Sequence, residues 1–249
     1  MSTLAADAAG ARVLYEQGRL DEAIAALGAV LRGDPADARS RTFLFELLCF
    51  AGEYDRAGKQ LDVIAGGGRE AELGAWLYRS ALHAERTRQA LFADGGSPPH
   101  AAGDAASVSG RLNGRAFSSL EDADPRIGAR LEVFAAGQYT WIPFRLLAGV
   151  RMEPPRHLRD LLWAPARVQP AEGFDGAELG EVLLPVLSPL SWRHADAQVR
   201  LGRAADWDDG PGGEPVPVGA KLLRVDGEIV PLLDLRELEI DAPAAAEAP

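Results

Sequence analysis

Apolar residues over the first ninety positions recur every three to four places, so Leu14, Ala23, Ile24, Leu27, Val30 and Leu31 fall on one face of helical segments. Gly18 separates two such segments. Asp34-Pro35 ends the second, because proline has no amide hydrogen to donate and crowds the preceding turn. The scheme returns over residues 41–51 and 55–65. A third stretch, 70–92, sets Leu73, Trp76, Leu77, Ala81, Leu82 and Ala84 on its apolar side.

The pattern is a repeat. Displacing the sequence by 34 positions lays Leu14 on Leu48, Gly18 on Gly52, Asp21 on Asp55, Ala23 on Ala57, Leu27 on Leu61 and Val30 on Ile64. Glycine at the turn inside each unit permits a tight reversal, and alanine five residues later lets antiparallel helices approach closely. That spacing is the mark of tetratricopeptide-like helical hairpins. Pro35 marks the exit of the first unit; the second has Arg69 there, after Gly66-Gly67-Gly68.

Residues 94–109, with Gly95-Gly96-Ser97-Pro98-Pro99 and an alanine, glycine and serine mixture, read as linker. Beyond it the period shortens. Residues 138–144, 150–153, 166–169, 181–186 and 198–201 suit strands, with a single helical turn over 158–163. The clearest element is 221–233, where Asp226-Gly227 sits between two β-prone runs and suits the two-residue hairpin turn whose central residues both need positive φ. Residues 210–217 read as a loop and 241–249 as a disordered tail. The expected architecture is α+β: a tetratricopeptide-like domain over 1–93, a linker over 94–109, and a small β-rich domain, a rolled sheet or barrel, over 110–240.

Composition narrows the function. A hydrophobic fraction of 47% over 249 residues can build a real core, and no apolar run approaches the ~20 residues of a membrane span. No secretory signal is visible, so the expected location is the cytoplasm. Net charge is −11, with 26 basic and 37 acidic residues interspersed and no basic stripe, which argues against nucleic acid as a ligand. The single cysteine, Cys49, excludes an internal disulfide and a multi-cysteine zinc site; its apolar neighbours suggest a small buried hydrophobe.

No catalytic constellation stands out. His83, His100, His157 and His194 form no metal-ligand spacing, and neither a nucleophile elbow nor a phosphate-binding loop is present. The acidic clusters 121–124 and 206–209 fit no calcium loop and read as solvated loops. What remains is binding. In a tetratricopeptide array the first helix of each unit lines a concave groove. Registering on Gly18 and Gly52 puts Arg12, Tyr15 and Glu16 there from the first unit. Arg39, Thr42, Glu46 and Phe50 come from the second, and Trp76 and Ser80 from the third. This mixture resembles interface composition, although Phe50 and Trp76 could equally pack against the following domain.

The C-terminal half carries an ordered series of motifs: Asn113-Gly114-Arg115-Ala116-Phe117, then 122–128 (DADPRIG), 137–144 (GQYTWIPF), 154–166 (PPRHLRDLLWAPA), 200–207 (RLGRAADW) and Leu232-Leu233-Asp234-Leu235-Arg236. Together they resemble the ImpE/SciE (TagJ) family, accessory proteins of bacterial type VI secretion, over nearly the whole chain. The resemblance implies a non-enzymatic cytoplasmic adaptor without cofactor, whose partners are the small (TssB-like) subunit of the contractile sheath, the ClpV ATPase that recycles it, or both. Members commonly carry more helical sequence between the equivalents of Phe92 and Gly110, so the array here is expected to be shortened. Trp163 and Trp207 are expected to fill the β core, with Asp160 or Asp206 pairing with arginines. Two alternatives stay open: a metal-assisted hydrolase using Asp122, Asp124 or Asp206, and a general tetratricopeptide co-chaperone.

Overall fold

Two helix ends, at Gly18 and Gly52, set the N-terminal half. At each, the glycine takes a left-handed conformation (φ +76° and +72°). Its N–H bonds the carbonyl three residues back, while the next N–H reaches five back: Arg19 to Leu14 at 2.8 Å and Glu53 to Leu48 at 2.9 Å. The same cap recurs 34 residues apart, so the repeat in sequence is a repeat in backbone geometry. The computed structural model describes residues 8–96, 107–172, 174 and 179–242. Within them the helices are α1 (Ala8–Glu16), α2 (Leu20–Gly33), α3 (Ala38–Phe50), α4 (Tyr54–Ala65) and α5 (Arg69–Ala93). Asp37 starts α3 by accepting the N–H groups of Arg39 and Ser40. Successive helices pack as hairpins, the first and third lying one repeat apart. Of the expected linker, 97–106 lies outside the described residues, as does 243–249 of the expected tail.

The second half is antiparallel. Its strands are β1 (Gly110–Leu112), β2 (Arg115–Phe117), β3 (Leu120–Asp122), β4 (Arg130–Ala135), β5 (Gln138–Pro143), β6 (Leu147–Met152) and β7 (Trp163–Pro170). They continue with β8 (Gly180–Pro185), β9 (Ala205–Asp209), β10 (Pro215–Gly219), β11 (Leu222–Val225), β12 (Glu228–Pro231) and β13 (Glu237–Ile240). Eight form one sheet in the order β2-β1-β13-β6-β7-β8-β4-β5; β12-β11-β3 and β10-β9 form two smaller ones. The large ladder ends at β2 and β5, so it is an open sheet and not the closed barrel also considered. Asp226-Gly227 makes the expected hairpin between β11 and β12 with φ +50° and +83°. Asn113-Gly114 does the same between β1 and β2.

Four local expectations fail. Residues 215–217 of the expected loop belong to β10, and in the 121–124 cluster Glu121 and Asp122 lie in β3 while Asp122 and Asp124 are buried. Residues 198–201 form no strand, because Asp196 accepts the Gln198 N–H at 2.8 Å and caps a short helix, α6 (Ala197–Arg200). The acidic 206–209 segment is part of β9, not a loop, although all five residues of that strand are exposed.

The two halves share one core. A single cluster contains Leu27, Phe45, Leu48 and Phe50 from the helices together with Phe134, Leu162, Trp163 and Leu201 from the β half. A second cluster, with Val133, Phe144, Leu184 and Leu232, fills the sheet interior. The turn glycines join the halves as well, for a Cβ on Gly52 would lie 2.4 Å from the Trp192 ring.

Gly52→Ala therefore adds a clash to a strained φ, whereas Gly114→Ala (φ +82°, open space around it) adds strain alone. Urea denaturation is expected to show about 2–4 kcal/mol lost for the first and about 1 kcal/mol for the second. Equal losses would mean that the Trp192 contact contributes nothing.

Candidate functional site

The β half is held to α5 by charges with no access to solvent. Arg88 grips Glu132 of β4 with two parallel bonds, Nε to Oε1 at 2.7 Å and Nη2 to Oε2 at 2.9 Å. Its Nη2 also donates to the Leu187 carbonyl at 2.9 Å, and Nη1 reaches Glu85 at 3.2 Å. Lys221 approaches the other side, 2.5 Å from Glu132 and 2.6 Å from Asp122. Tyr139 donates to Glu132 at 2.5 Å, and Trp141 donates in turn to the Tyr139 oxygen. Trp163 donates to Glu85 at 2.9 Å. Burial pushes Glu132 up, but Arg88 and Lys221 outweigh it and hold the carboxyl at about 2. At Asp122 burial prevails over Lys221 and the carboxyl stands at about 6.

These groups were not legible as a set. Glu132 lies between Leu131 and Val133 in a β-prone run, and Lys221 is one of only two lysines, directly before Leu222-Leu223. Both are charges in apolar strings, a usable signal for buried ion pairs. Arg88 carries none. Asp122 and Asp124, the carboxylates considered for a metal, are engaged by Lys221 and by Arg126 at 2.6 Å. No group of three or more His, Cys, Asp or Glu suited to a metal gathers among the described residues.

Docking in this way fills much of the expected groove. Trp163 stacks near Phe45, with ring centroids 6.3 Å apart, and Arg159 lies over Tyr78 at 5.1 Å. The β4–β5 turn meets α5 at Ser80, close to Gly137. Arg203 donates to the carbonyls of Tyr15 and Glu16 at 2.8 and 3.0 Å, with its guanidinium 4.4 Å above the Tyr15 ring. Tyr15 and Glu16 thus touch the β half. Phe50 (1% exposed) and Glu46 (7% exposed) are buried and present no surface to a partner. Burial pushes Glu46 up to about 7, against the pull of Arg159 and Arg12 and with Asp160 adding to the rise.

The remaining expected positions are Arg12 on α1, Arg39 and Thr42 at the start of α3, and Trp76 on α5. Arg12 and Arg39 are exposed, and Thr42 is half-buried with its hydroxyl on the Ala38 carbonyl. Trp76 is 65% exposed. Of the two aromatics considered for the domain junction, Phe50 is in it and Trp76 is not. Elsewhere Trp163 is buried at the junction with the helices and not in the sheet interior where it was expected, and Trp207 is 44% exposed on β9. Asp160 accepts the backbone N–H groups of Arg156 and His157, and Asp206 faces His194; neither pairs with an arginine side chain. Cys49 is buried, its thiol pushed well up by burial.

A helical-repeat half packed through a shared core on an antiparallel β half defines an α+β protein of the tetratricopeptide-like class. Sequence comparison makes it particular. Residues 14–75 match the tetratricopeptide repeat family, and residues 114–239 match the family described as ImpE protein. The chain is 34% identical, over 263 aligned positions, to the type VI secretion system accessory component TagJ of Pseudomonas aeruginosa, covering 93% of this chain and 91% of that protein. This chain belongs to the ImpE family. The crystal structure of protein VPA1032 from Vibrio parahaemolyticus has the same fold, with a TM-score of 0.80 over 94% of this chain and 98% of that one at 22% identity. No described helix is long and apolar enough to cross a membrane.

Arg88→Met takes the bidentate partner from Glu132, leaving it to Lys221 and Tyr139, and removes the cation beside Glu85; it is expected to cost about 3–5 kcal/mol in urea unfolding, with Arg88→Met/Glu132→Leu recovering part of it. Additive losses would show that the pair is not coupled. A second expectation concerns pH. The folded state holds the Glu46 proton more tightly than the unfolded chain, so stability falls as pH rises from about 4.5 to about 7. Glu46→Gln removes that slope and is expected to stabilise by on the order of 2 kcal/mol more at pH 8 than at pH 4.5. Parallel stability–pH curves for the two proteins would refute it.

Proposed function

We propose that this protein is a non-catalytic adaptor of the type VI secretion system, working in the cytoplasm. Its partners on this reading are the small, TssB-like subunit of the contractile sheath, the ClpV ATPase, or both. The observation that carries the reading is the uncovered end of the groove, with Trp76 65% exposed on a repeat scaffold of the kind that grips protein segments. The 34% identity to a type VI accessory component directs it to that machine. Binding would use Arg12, Arg39, Thr42 and Trp76. Tyr15, Glu16, Glu46 and Phe50 would act indirectly, by seating the β half that shapes the groove floor.

The test is a pulldown with the tagged full chain beside Leu73→Ser/Trp76→Ala, two exposed positions whose substitution leaves the core intact. The wild type is expected to recover the sheath small subunit or ClpV, and the variant about tenfold less. Recovery undiminished in the variant would move the site to the β half. Recovery of neither protein, under conditions where a sheath subunit pair is recovered, would end the adaptor reading.

A further inference from the structure

Where the turn between α3 and α4 meets α5 and the segment 185–192, a cavity of about 20 Å³ lies between the two halves, with Tyr54, Glu85, Gln89, Trp163, Ser188 and Trp192 in its wall. The loop 188–192 passes through Leu190 in the left-handed region (φ +62°), a strained position for leucine, and specific bonds hold it there. Gln89 Oε1 accepts the Leu190 N–H at 2.9 Å and the Trp192 indole N–H at 3.2 Å. Ser191 Oγ donates to the Ser188 carbonyl at 2.6 Å and accepts the Gly219 N–H at 2.7 Å. Glu85 Oε1 accepts from Gln89 at 2.5 Å and Arg88 at 3.2 Å, and its Oε2 accepts from Trp163 at 2.9 Å. One hydroxyl stands apart. Ser188 is 1% exposed, and its Oγ has no hydrogen-bond partner among the described residues.

We propose that this cavity binds one water molecule, which accepts the Ser188 hydroxyl hydrogen and donates to Glu85 Oε2, tying the 188–192 loop to α5. Size sets the first limit. A buried water needs roughly 10–15 Å³ of such space and two to four polar partners, so the cavity admits one water and no organic ligand. Charge sets the second. Glu85 already lies beside Arg88, so a bound cation would meet the guanidinium and a bound anion the carboxylate. A dry cavity would leave the Ser188 hydroxyl desolvated and unpaired, and cavities that stay dry are lined by apolar groups. Tyr54 adds a further polar group to the wall. Burial pushes its phenol well up, with Glu85 adding to the rise, so the phenol keeps its proton and can donate to the same water. The loop that seats Trp192 against Gly52 would thus reach the helical half through Ser188 as well.

The test combines a high-resolution crystal structure of the full chain with urea unfolding of Ser188→Ala. The expected map has one density peak in the cavity, within about 3.2 Å of both Ser188 Oγ and Glu85 Oε2. With the water bound, Ser188→Ala removes a satisfied hydroxyl and is expected to lower the folding equilibrium constant about fivefold. In a dry cavity the same change deletes an unpaired donor, and stability holds or rises. An empty cavity, a peak out of bonding range of either group, or a variant as stable as the wild type would overturn the proposal.

Discussion

Arg88 and Glu132 meet by two parallel hydrogen bonds in a place that excludes water, and the arrangement of the two halves follows from that contact. Apolar surfaces are tolerant of sliding, because area removed from water changes little with a small displacement. A bidentate guanidinium–carboxylate pair is not tolerant, since a shift of a fraction of its length leaves a charge unpaired in a low dielectric. Lys221 on the far side of Glu132, and Tyr139 and Trp163 donating to the carboxylates, extend this demand from α5 to β4, β5, β7 and the residue before β11. The hydrophobic contacts between the halves supply stability, and the buried charges decide which of many possible dockings is the one adopted.

That docking shapes the surface left to other molecules. With α5 fixed on the sheet, Trp163 must lie against Phe45 and Arg159 over Tyr78, so the C-terminal turns of the groove helices are covered by the chain itself. The cover ends at Ser80 and Gly137. Nearer the start of α5, Trp76 and Leu73 are 65% and 64% exposed. The repeat turns serve the same docking. Gly18 and Gly52 supply the left-handed caps of a helical hairpin, and the absent Cβ at each also admits a side chain from the β half, Gln198 at the first and Trp192 at the second.

The helical hairpins, their caps and the tight β turns were legible because each is decided over a few residues. Gly18 and Gly52 at a spacing of 34, Asp37 ahead of α3, and Asp226-Gly227 between two β-prone runs each specify a backbone conformation locally. The same locality explains a miss: residues 198–201 are β-prone by composition, but Asp196, two places upstream of Gln198, caps a helix there. Burial was less legible. Phe50 and Trp76 are both aromatic side chains expected on one groove, yet one is 1% and the other 65% exposed, because the β half reaches the end of α3 and stops short of the start of α5.

The amino-acid sequence by itself determined that this is an α+β chain with a helical-repeat first half, a strand-rich second half and the motifs of the ImpE family, since periodicity, caps and turns act through neighbours along the chain. Only the tertiary structure decided that Arg88, Glu132, Lys221 and Asp122 share one buried network, that the β half occupies part of the groove, and which groove residues remain outside it. Those outcomes depend on contacts between residues as far apart as Tyr15 and Arg203, where no local pattern carries information and only the packing of the two halves sets the distance.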